Sequence, residues 1–288
     1  MPNLAARTLA GRRADAVALA LPEQDWRQFA EPFFLEIIRS FGDGLEDTSV
    51  QLLLTLVRSG IERQRFIEFE RGGQVDGALF ISVRAEDRLS DMLAEAGAPT
   101  VLLGRRPGDQ LVTYVDADNV GGARSAVEHL LRGRSRRIAA GIGPLDMYVT
   151  QCRLRGYREA LAAAGVEAAP SLVVEGNFTE DSGPRATTEL LTRHPYVDAV
   201  FAASDTMAAA ALGVLQAAGP RVPEDVAVIG SDDFPLAQHT EPSLTTVQQP
   251  LDEIGRTKVR LLMQETEQPE VAWRHVILRT RLVVRASA

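Results

Sequence analysis

Two adjacent carboxylates follow a buried-strand pattern in the last third of the chain. The run Val226–Ile229 is short, apolar and β-branched, which is typical of a strand buried on both faces of a parallel sheet. Gly230 ends the run, and Asp232 and Asp233 come directly after it. Ligands of open parallel sheets bind at the carboxyl ends of strands, so an acid here suits ligand recognition. The alternative is a carboxylate that caps a turn or a helix, which an isolated Gly-x-Asp indicates more often.

Other side chains with binding chemistry also follow strand patterns. Arg153 opens a helical pattern just past a strand ending at Ile142, where a guanidinium can bind two ligand oxygens in a fixed fork. Ser204 and Asp205 precede an alanine-rich helical pattern, so we expect one of them to cap that helix. Phe178 lies in a turn, where its flat face would suit stacking on a sugar or a base, although a core role is also open.

One motif argues for an enzyme. The segment Asp116-Ala117-Asp118-Asn119-Val120 follows a strand pattern and matches the nucleophile motif of haloacid-dehalogenase-like phosphatases. That chemistry also requires a lysine ahead of a second acidic cluster, to neutralise the charge of the phosphoryl-enzyme. Lys258, the single lysine of the chain, lies after Asp232 and Asp233, so the order is wrong. The phosphatase is therefore kept only as an alternative, and we expect no enzymatic activity.

The composition is that of a soluble globular protein. The chain has 288 residues, enough for two domains, with 45% hydrophobic and 24% charged residues. Its net charge of −8 argues against binding a phosphate backbone by itself. Cys152 is the single cysteine, and the four histidines lack ligand spacing, so we expect no disulfide, metal or cofactor. No apolar run approaches the ~18 residues of a membrane span, which predicts a cytoplasmic protein without membrane contact.

Strand and helix patterns alternate along the whole chain. Strands are predicted at Ala16–Leu21, Val50–Val57, Ala78–Ile81, Thr100–Leu103, Leu111–Val115, Arg137–Ile142, Leu172–Val174, Ala199–Ala202, Val226–Ile229 and Leu244–Val247. Helices are predicted at Pro32–Phe41, Ile61–Arg71, Glu86–Ala96, Asn119–Leu131, Cys152–Ala164, Pro184–Thr192, Thr206–Ala218 and Leu251–Gln264. Two late strands, Val276–Leu278 and Leu282–Val284, suit either sheet. The alternation predicts an α/β fold of two similar, doubly wound parallel-sheet lobes.

Several segments together resemble the effector-binding core of the LacI/GalR (lactose-repressor/galactose-repressor) family of bacterial transcription regulators. The similarity runs from about residue 3 to the end of the chain and rests on VDADNVGGARSAVEHLL (115–131), RRIAAGIGPLD and CRLRGYREAL (136–161), AASDTMAAAALGVLQAAGPRVPEDVAVIGSDD (202–233) and PSLTTVQQPLDEIG (242–255). The resemblance implies a type I periplasmic-binding-protein-like fold whose lobes are joined by a multi-strand hinge. The implied divisions are a hinge-helix remnant or linker at 1–13, an N-terminal lobe of 14–118 plus 249–268, and a C-terminal lobe of 119–248 plus 269–288.

The resemblance also implies a ligand site in the cleft between the lobes. From the second lobe it would include Arg153, Phe178, Asp232 and Gln249. Ser204 stands where many sugar-responsive relatives have asparagine.

The first lobe would add two contacts to this site. Phe33 stands in Glu31-Pro32-Phe33-Phe34, which is similar to the family's Asn-Pro-Phe-Phe-like segment, and Arg105 follows another strand. Trp26 and Phe29 are further candidates in the preceding loop.

The resemblance favours a sugar or a polyol over a nucleobase as the effector. Met147 and Val149 occupy a loop where a purine-responsive relative would offer polar groups. The predicted function is therefore the effector-binding and dimerisation core of a LacI-type regulator. A stand-alone cytosolic solute-binding protein is the main alternative.

The N-terminal segment NLAARTLAGRRADAVALALP resembles the family's hinge helix and first core strand. In the family, Leu9 would be the residue that wedges into the DNA minor groove. The helix-turn-helix domain would precede Met1, so we expect this chain to be a homodimeric regulator core without its DNA reader. Operator DNA would be a partner only where a helix-turn-helix domain is present.

Overall fold

The computed structural model describes residues 13–21, 31–81, 84, 87–108, 111–268 and 272–288. Within these ranges, strands and helices alternate along the chain. They are β1 (Ala16–Leu21), α1 (Pro32–Leu45), β2 (Gln51–Leu56), α2 (Gly60–Arg71), β3 (Ala78–Phe80), α3 (Leu89–Glu95), β4 (Thr100–Leu103), β5 (Thr113–Ala117), α4 (Asn119–Arg132), β6 (Ile138–Ile142), α5 (Tyr148–Ala163), β7 (Val173–Glu175), α6 (Ser182–Arg193), β8 (Ala199–Ala202), α7 (Asp205–Ala218), β9 (Ala227–Asp232), α8 (Leu236–His239), β10 (Thr245–Gln248), α9 (Leu251–Glu267), β11 (His275–Leu278) and β12 (Arg281–Val283).

The strands form two six-stranded sheets with equivalent strand orders. The first sheet runs β2-β1-β3-β4-β5-β11, and the second runs β7-β6-β8-β9-β10-β12. The pairs among the first five strands of each sheet are parallel, whereas β12 pairs antiparallel with β10. This confirms the predicted α/β fold of two similar parallel-sheet lobes.

The chain divides into two compact units, each built on one sheet. It passes from one unit to the other after Phe34, Asp116, Pro250 and Leu278. All four of these passages lie in or beside a strand or helix, so the units are connected by several short segments rather than by one linker. Within the described ranges, no helix combines the length and the apolar character that a membrane span requires.

The second sheet is buried because helices cover both of its faces. On one face, Leu130 of α4 and Tyr157 of α5 join a core cluster with Phe201 of β8. On the other face, Leu190 of α6 and Leu215 of α7 join a second cluster. Strands covered on both faces become continuous apolar runs, which explains why the sequence shows runs here rather than alternation.

The last two strands of the chain belong to different sheets. The expected boundaries place residues 269–288 together in the second lobe, whereas β11 lies in the first sheet and β12 in the second. The β11 end of the segment is fixed by Tyr114, whose N–H donates to the Arg274 carbonyl at 3.0 Å and whose ring stacks on His275 at 4.3 Å. This part of the boundary prediction is wrong, since two short strand patterns separated only by residues 279–281 do not reveal which sheet each one joins.

Strand β9 extends further than its apolar pattern predicts. The apolar run ends at Ile229, but the strand continues through Gly230 and Ser231 to Asp232. Its partner β10 explains the extension, because Thr246 pairs with Gly230 and the following residues continue in register. The ladder therefore carries the Asp232 side chain to the carboxyl end of the sheet.

Candidate functional site

A buried ion pair lies at the carboxyl end of the second sheet. Asp232 is the last residue of β9, and Arg153 lies in the second turn of α5, the helix that follows β6. Arg153 Nη2 donates to Asp232 Oδ1 at 3.2 Å, and the two side chains are only 8% and 7% exposed. Sequence reasoning placed both residues at this edge because each follows the end of a parallel strand.

The ion pair belongs to a closed ring of four residues. Arg153 Nε donates to Asn119 Oδ1 at 3.0 Å, and Gln249 Nε2 donates to the same oxygen at 3.5 Å. The ring is completed by the Gln249 main-chain N–H, which donates to the Asp232 carbonyl at 3.2 Å. Arg153 Nη1 also donates to the Ala203 carbonyl, just beyond β8. Side chains from separate parts of the sequence are thereby held in one hydrogen-bonded cluster.

The backbone and the electrostatics at Asp232 are both unusual. Asp232 has a φ of 126°, and Asp233 has a φ of 62°, a region that residues with a Cβ rarely adopt. Such strain is concentrated at ligand-binding sites. Burial raises the pKa of the Asp232 carboxyl to about 7; Arg153 opposes the rise, and the nearby Asp205 adds to it.

The neighbouring acids have structural roles. Asp233 accepts from Arg285 at 2.6 Å and from Gln248 Nε2 at 2.8 Å, so its carboxylate pairs with side chains. Asp205 is fully buried and accepts from the Phe234 N–H at 2.9 Å and from the Thr246 hydroxyl. Burial raises the pKa of Asp205 to about 6.

Ser204 is the N-cap of α7. Its side chain accepts from the Met207 N–H at 3.2 Å, and it is almost fully buried. This confirms that one member of the Ser204–Asp205 pair caps the helix. Any contact of Ser204 with a ligand stays a prediction.

Two apolar candidates lie beside strand β6. Phe178 is half-buried, with a φ of 68°, and its ring lies directly on Gly143: a Cβ at that glycine would be 2.0 Å from the ring. Only glycine permits so close an approach. Met147 is buried at the start of α5, where its N–H donates to the Pro144 carbonyl at 3.1 Å. Met147 therefore follows the same strand as Arg153, whereas Phe178 follows β7 and reaches the end of β6 through its contact with Gly143.

Comparison with known proteins places this chain in a family. Residues 127–288 match the family described as periplasmic binding protein-like domain. The whole chain is 49% identical to the HTH-type transcriptional regulator CelR of Thermobifida fusca, covering 85% of that protein. It is also 30% identical to the HTH-type transcriptional repressor CytR of Escherichia coli K12, over all of this chain and 83% of that protein. The chain belongs to the LacI family of transcriptional regulators.

Solved structures of LacI-family proteins have the same fold. The structure of a transcriptional regulator CelR–cellobiose complex matches with a TM-score of 0.90 and 46% identity, over 99% of this chain and 89% of that chain. A regulatory protein of the LacI family from Chloroflexus aggregans matches with a TM-score of 0.86 and 29% identity, over 95% of this chain and 98% of that chain. The relatives are transcriptional regulators rather than enzymes.

The residues proposed from the first lobe have local partners. Arg105 belongs to the first unit, where its Nε donates to Asp116 Oδ2 at 3.0 Å. Phe33 was expected in the first lobe but belongs to the second unit; it is half-buried in the first turn of α1, and its ring packs edge-on against Phe34 at 5.6 Å. Their contacts with an effector stay predictions. Leu9, Trp26 and Phe29 lie outside the described residues.

The phosphatase-like motif of this LacI-family chain is explained by structural contacts. Asp118 caps α4 by accepting from the Gly121 N–H at 2.8 Å, and Asp116 pairs with Arg105. Lys258 is buried in the first unit, where its Nζ donates to the Phe80 carbonyl at 2.6 Å. Among the described residues, no group of histidine, cysteine and acidic side chains is arranged to hold a metal ion.

Sequence reasoning missed Asn119 as a member of the site. It was noticed only within the phosphatase-like motif and as the start of a helix, and neither role points to Arg153. Its position was nevertheless informative, because it directly follows strand β5 of the first sheet and its cap, and it begins helix α4 of the second unit. Asparagine oxygens at strand ends are therefore worth testing as partners of a predicted arginine.

Proposed function

We propose that this chain is the effector-binding and dimerisation core of a LacI-type transcriptional regulator and that its effector is a small sugar. The observation that carries the proposal is the buried Arg153–Asp232 pair at the carboxyl end of the second sheet. A carboxylate accepts hydrogen bonds from adjacent hydroxyls, while a guanidinium donates to other ligand oxygens. The 46% identity with a regulator solved in complex with cellobiose supports a sugar and makes cellobiose the first ligand to test.

The side chains around the pair suit a sugar. Phe178 offers a half-buried ring for the apolar face of a pyranose, and Gln249 offers an amide beside Asn119. Ser204 has a hydroxyl at the start of α7, and Met147 adds an apolar surface. These residues supply the mixture of apolar contacts and few directional polar groups that small-molecule sites use.

Calorimetry with cellobiose tests the proposal. We expect wild-type protein to bind, and Asp232→Asn to lose roughly 1.5–3 kcal/mol of binding free energy, about one to two decades in affinity, because the charged acceptor is removed. Asp225→Asn is the matched control, since Asp225 pairs with Arg221 on the surface of the same unit. Ribose and a purine base serve as competing ligand classes.

Two results would count against a sugar effector. One is an absence of heat with cellobiose and ribose while the purine binds. The other is wild-type cellobiose affinity in Asp232→Asn, which would return that residue to a purely structural role.

We also propose that the chain forms a homodimer. Large apolar side chains are exposed in the first unit, among them Leu35 of α1, Leu54 of the edge strand β2 and Ile61 of α2. An edge strand with exposed apolar residues is a site of association unless a partner covers it. Sedimentation at tens of micromolar, an ordinary range for transient interfaces, should show a dimer, and Leu54→Asp should weaken it. A wild-type monomer at that concentration contradicts the proposal.

Operator recognition would require a helix-turn-helix domain in addition to these residues, and it would place the regulator in the cytoplasm with its DNA. The net charge of −8 disfavours strong contact between this chain and a phosphate backbone. We expect the 288-residue chain to bind DNA only non-specifically. A gel shift that shows sequence-selective binding resistant to salt would contradict this expectation.

A further inference from the structure

The Arg153 guanidinium is oriented by acceptors on three sides. Nε donates to Asn119, Nη1 to the Ala203 carbonyl and Nη2 to Asp232. These three bonds use one N–H of each nitrogen, and Nη1 and Nη2 each carry a second N–H. The planar fork is therefore fixed in direction before any ligand arrives, which lowers the entropy that binding has to overcome.

Asn119 is the residue that joins this arginine to the rest of the ring. Its Oδ1 accepts from both Arg153 Nε and Gln249 Nε2, and its Nδ2 donates to the Ala117 carbonyl at 3.1 Å. The side chain is almost fully buried at the first position of α4. Because the Asn119 amide nitrogen donates to the main chain, the orientation of the amide group is fixed, and its oxygen faces both Arg153 Nε and Gln249 Nε2.

Close helix packing brings Arg153 to this oxygen. Gly156 lies one turn beyond Arg153 on α5, where a Cβ would be 2.2 Å from the Val120 carbonyl and 3.0 Å from the Ala123 side chain. No other residue permits that approach of α5 to the first turn of α4. The glycine therefore sets the distance at which Arg153 reaches Asn119.

The ring lies beside the segments by which the chain passes between its two units. One passage follows Asp116, three residues before Asn119, and another follows Pro250, directly after Gln249. A third passage follows Leu278, and there the Thr280 hydroxyl donates to the Asp118 carbonyl at 3.2 Å. The Asn119 Oδ1 atom thus connects the proposed ligand-binding arginine to the segments after Asp116 and around Pro250. The third segment, after Leu278, is bonded to Asp118, the residue before Asn119.

We propose that Asn119 is a positioning residue that orients Arg153 for the effector and couples Arg153 to the connecting segments around residues 117–119 and 249–250. An effector that engages the outer N–H groups of Arg153 restrains the guanidinium and hence the oxygen it shares with Gln249. Restraint at that oxygen reaches both segments through the hydrogen bonds of Asn119. The inference rests on the proposed function only for the identity of the ligand.

Affinity measurements on three variants test the positioning role. Asn119→Leu is similar in size but has no acceptor, and we expect it to bind cellobiose roughly 10-fold or more weakly. Asn119→Asp keeps an acceptor for Arg153, and we expect it to stay within about 3-fold of wild type. Tyr157→Phe is the control: it removes a buried hydrogen bond from the same helix, to the Ile138 carbonyl at 2.7 Å, without touching the ring. It should leave affinity unchanged.

Hydrogen exchange in the absence of ligand tests the coupling separately. Amides in 249–252 should exchange faster in Asn119→Leu than in wild type, and Tyr157→Phe should leave them unchanged. Should Asn119→Leu not fold, the reciprocal comparison uses Gln249→Leu, from a half-buried position, and follows the amides of 117–121. Unaltered exchange in these segments overturns the proposal, as does wild-type cellobiose affinity in Asn119→Leu. Failure of wild type to bind cellobiose refutes the proposed effector instead, and the exchange result alone then decides the role of Asn119.

Discussion

The two units share a strand order, but their buried charged side chains have different partners. In the second unit, Arg153 and Asp232 lie at the carboxyl end of the sheet, paired with each other and bonded to further acceptors. In the first unit, Lys258 is buried against the Phe41 ring at 4.7 Å and donates to the Phe80 carbonyl. Across the described parts of the chain, no carboxylate lies within ion-pair distance of its amine.

The difference shows that the partners of a buried charge, rather than the framework, decide its role. Removing a charge from water is costly unless hydrogen bonds and an opposite charge compensate. Arg153 has that compensation from Asp232, Asn119 and the Ala203 carbonyl. Burial instead lowers the pKa of Lys258 well below its usual value, because the described residues around its amine offer a carbonyl and a ring but no carboxylate within ion-pair distance. The same fold thus supports a proposed recognition group in one sheet and a core residue in the other.

Truncating Arg153 should give the largest effect on stability. Asp232 would be left buried without its cation, so we expect Arg153→Ala to lower the free energy of unfolding by about 3–5 kcal/mol without ligand. The matched change in the first unit is Arg105→Ala, whose ion pair with Asp116 involves an arginine side chain that is 21% exposed. Because water can reach that pair, we expect a loss of only about 1 kcal/mol. Urea unfolding of both variants measures the difference. Equal losses in the free energy of unfolding would mean that the two ion pairs do not differ in their contribution to stability.

Asp205 should give the second unit a stability that falls as the pH rises. Its pKa is raised from 3.8 to about 6 by burial, so the folded state holds the proton more tightly than the unfolded state. The stabilisation is present below about pH 4 and is lost as the pH rises through 6, up to about 3 kcal/mol. Relative to Asp205→Asn, wild type should therefore lose stability between pH 4 and 7. A constant difference between the two proteins over this range would show that Asp205 is ionised when folded.

Lys258 should make the stability of the first unit depend on pH with the opposite sign, and with a smaller effect at neutral pH. Its pKa is lowered by burial, so the unfolded state binds more protons and stability rises with pH towards 10.5. We expect Lys258→Met to be more stable than wild type at pH 7 by about 1–2 kcal/mol, since the gain is offset by the lost bond to Phe80.

Thermal and urea unfolding of Lys258→Met from pH 6 to pH 10 checks this sign. The advantage of the variant should shrink as the pH rises. Arg260→Met, an exposed position on the same helix, is the control and should show no such trend. An advantage that grows with pH would mean that the Lys258 amine is protonated in the fold.

Much of the framework could be predicted from local sequence, and the site only in part. Strand β8 and the position of Asp232 past an apolar run followed from periodicity and from the rule that ligands meet strand ends. The role of Asn119 could not be predicted because its partners, Arg153 and Gln249, lie 34 and 130 residues away along the chain. No local pattern reports a bond over such a separation.

By itself, the sequence determined the alternation of strands and helices and the family, because both are carried by short-range patterns and ordered motifs. It also determined that Asp232 ends a strand and that Arg153 lies on the helix after a strand, since chain direction in a parallel sheet is shared by all its strands. Only the tertiary structure decided which sheet takes β11, that Asp233 pairs with Arg285, and that one oxygen of Asn119 serves two donors. These features depend on packing distances, such as the approach that Gly156 permits, and packing is a property of the folded chain.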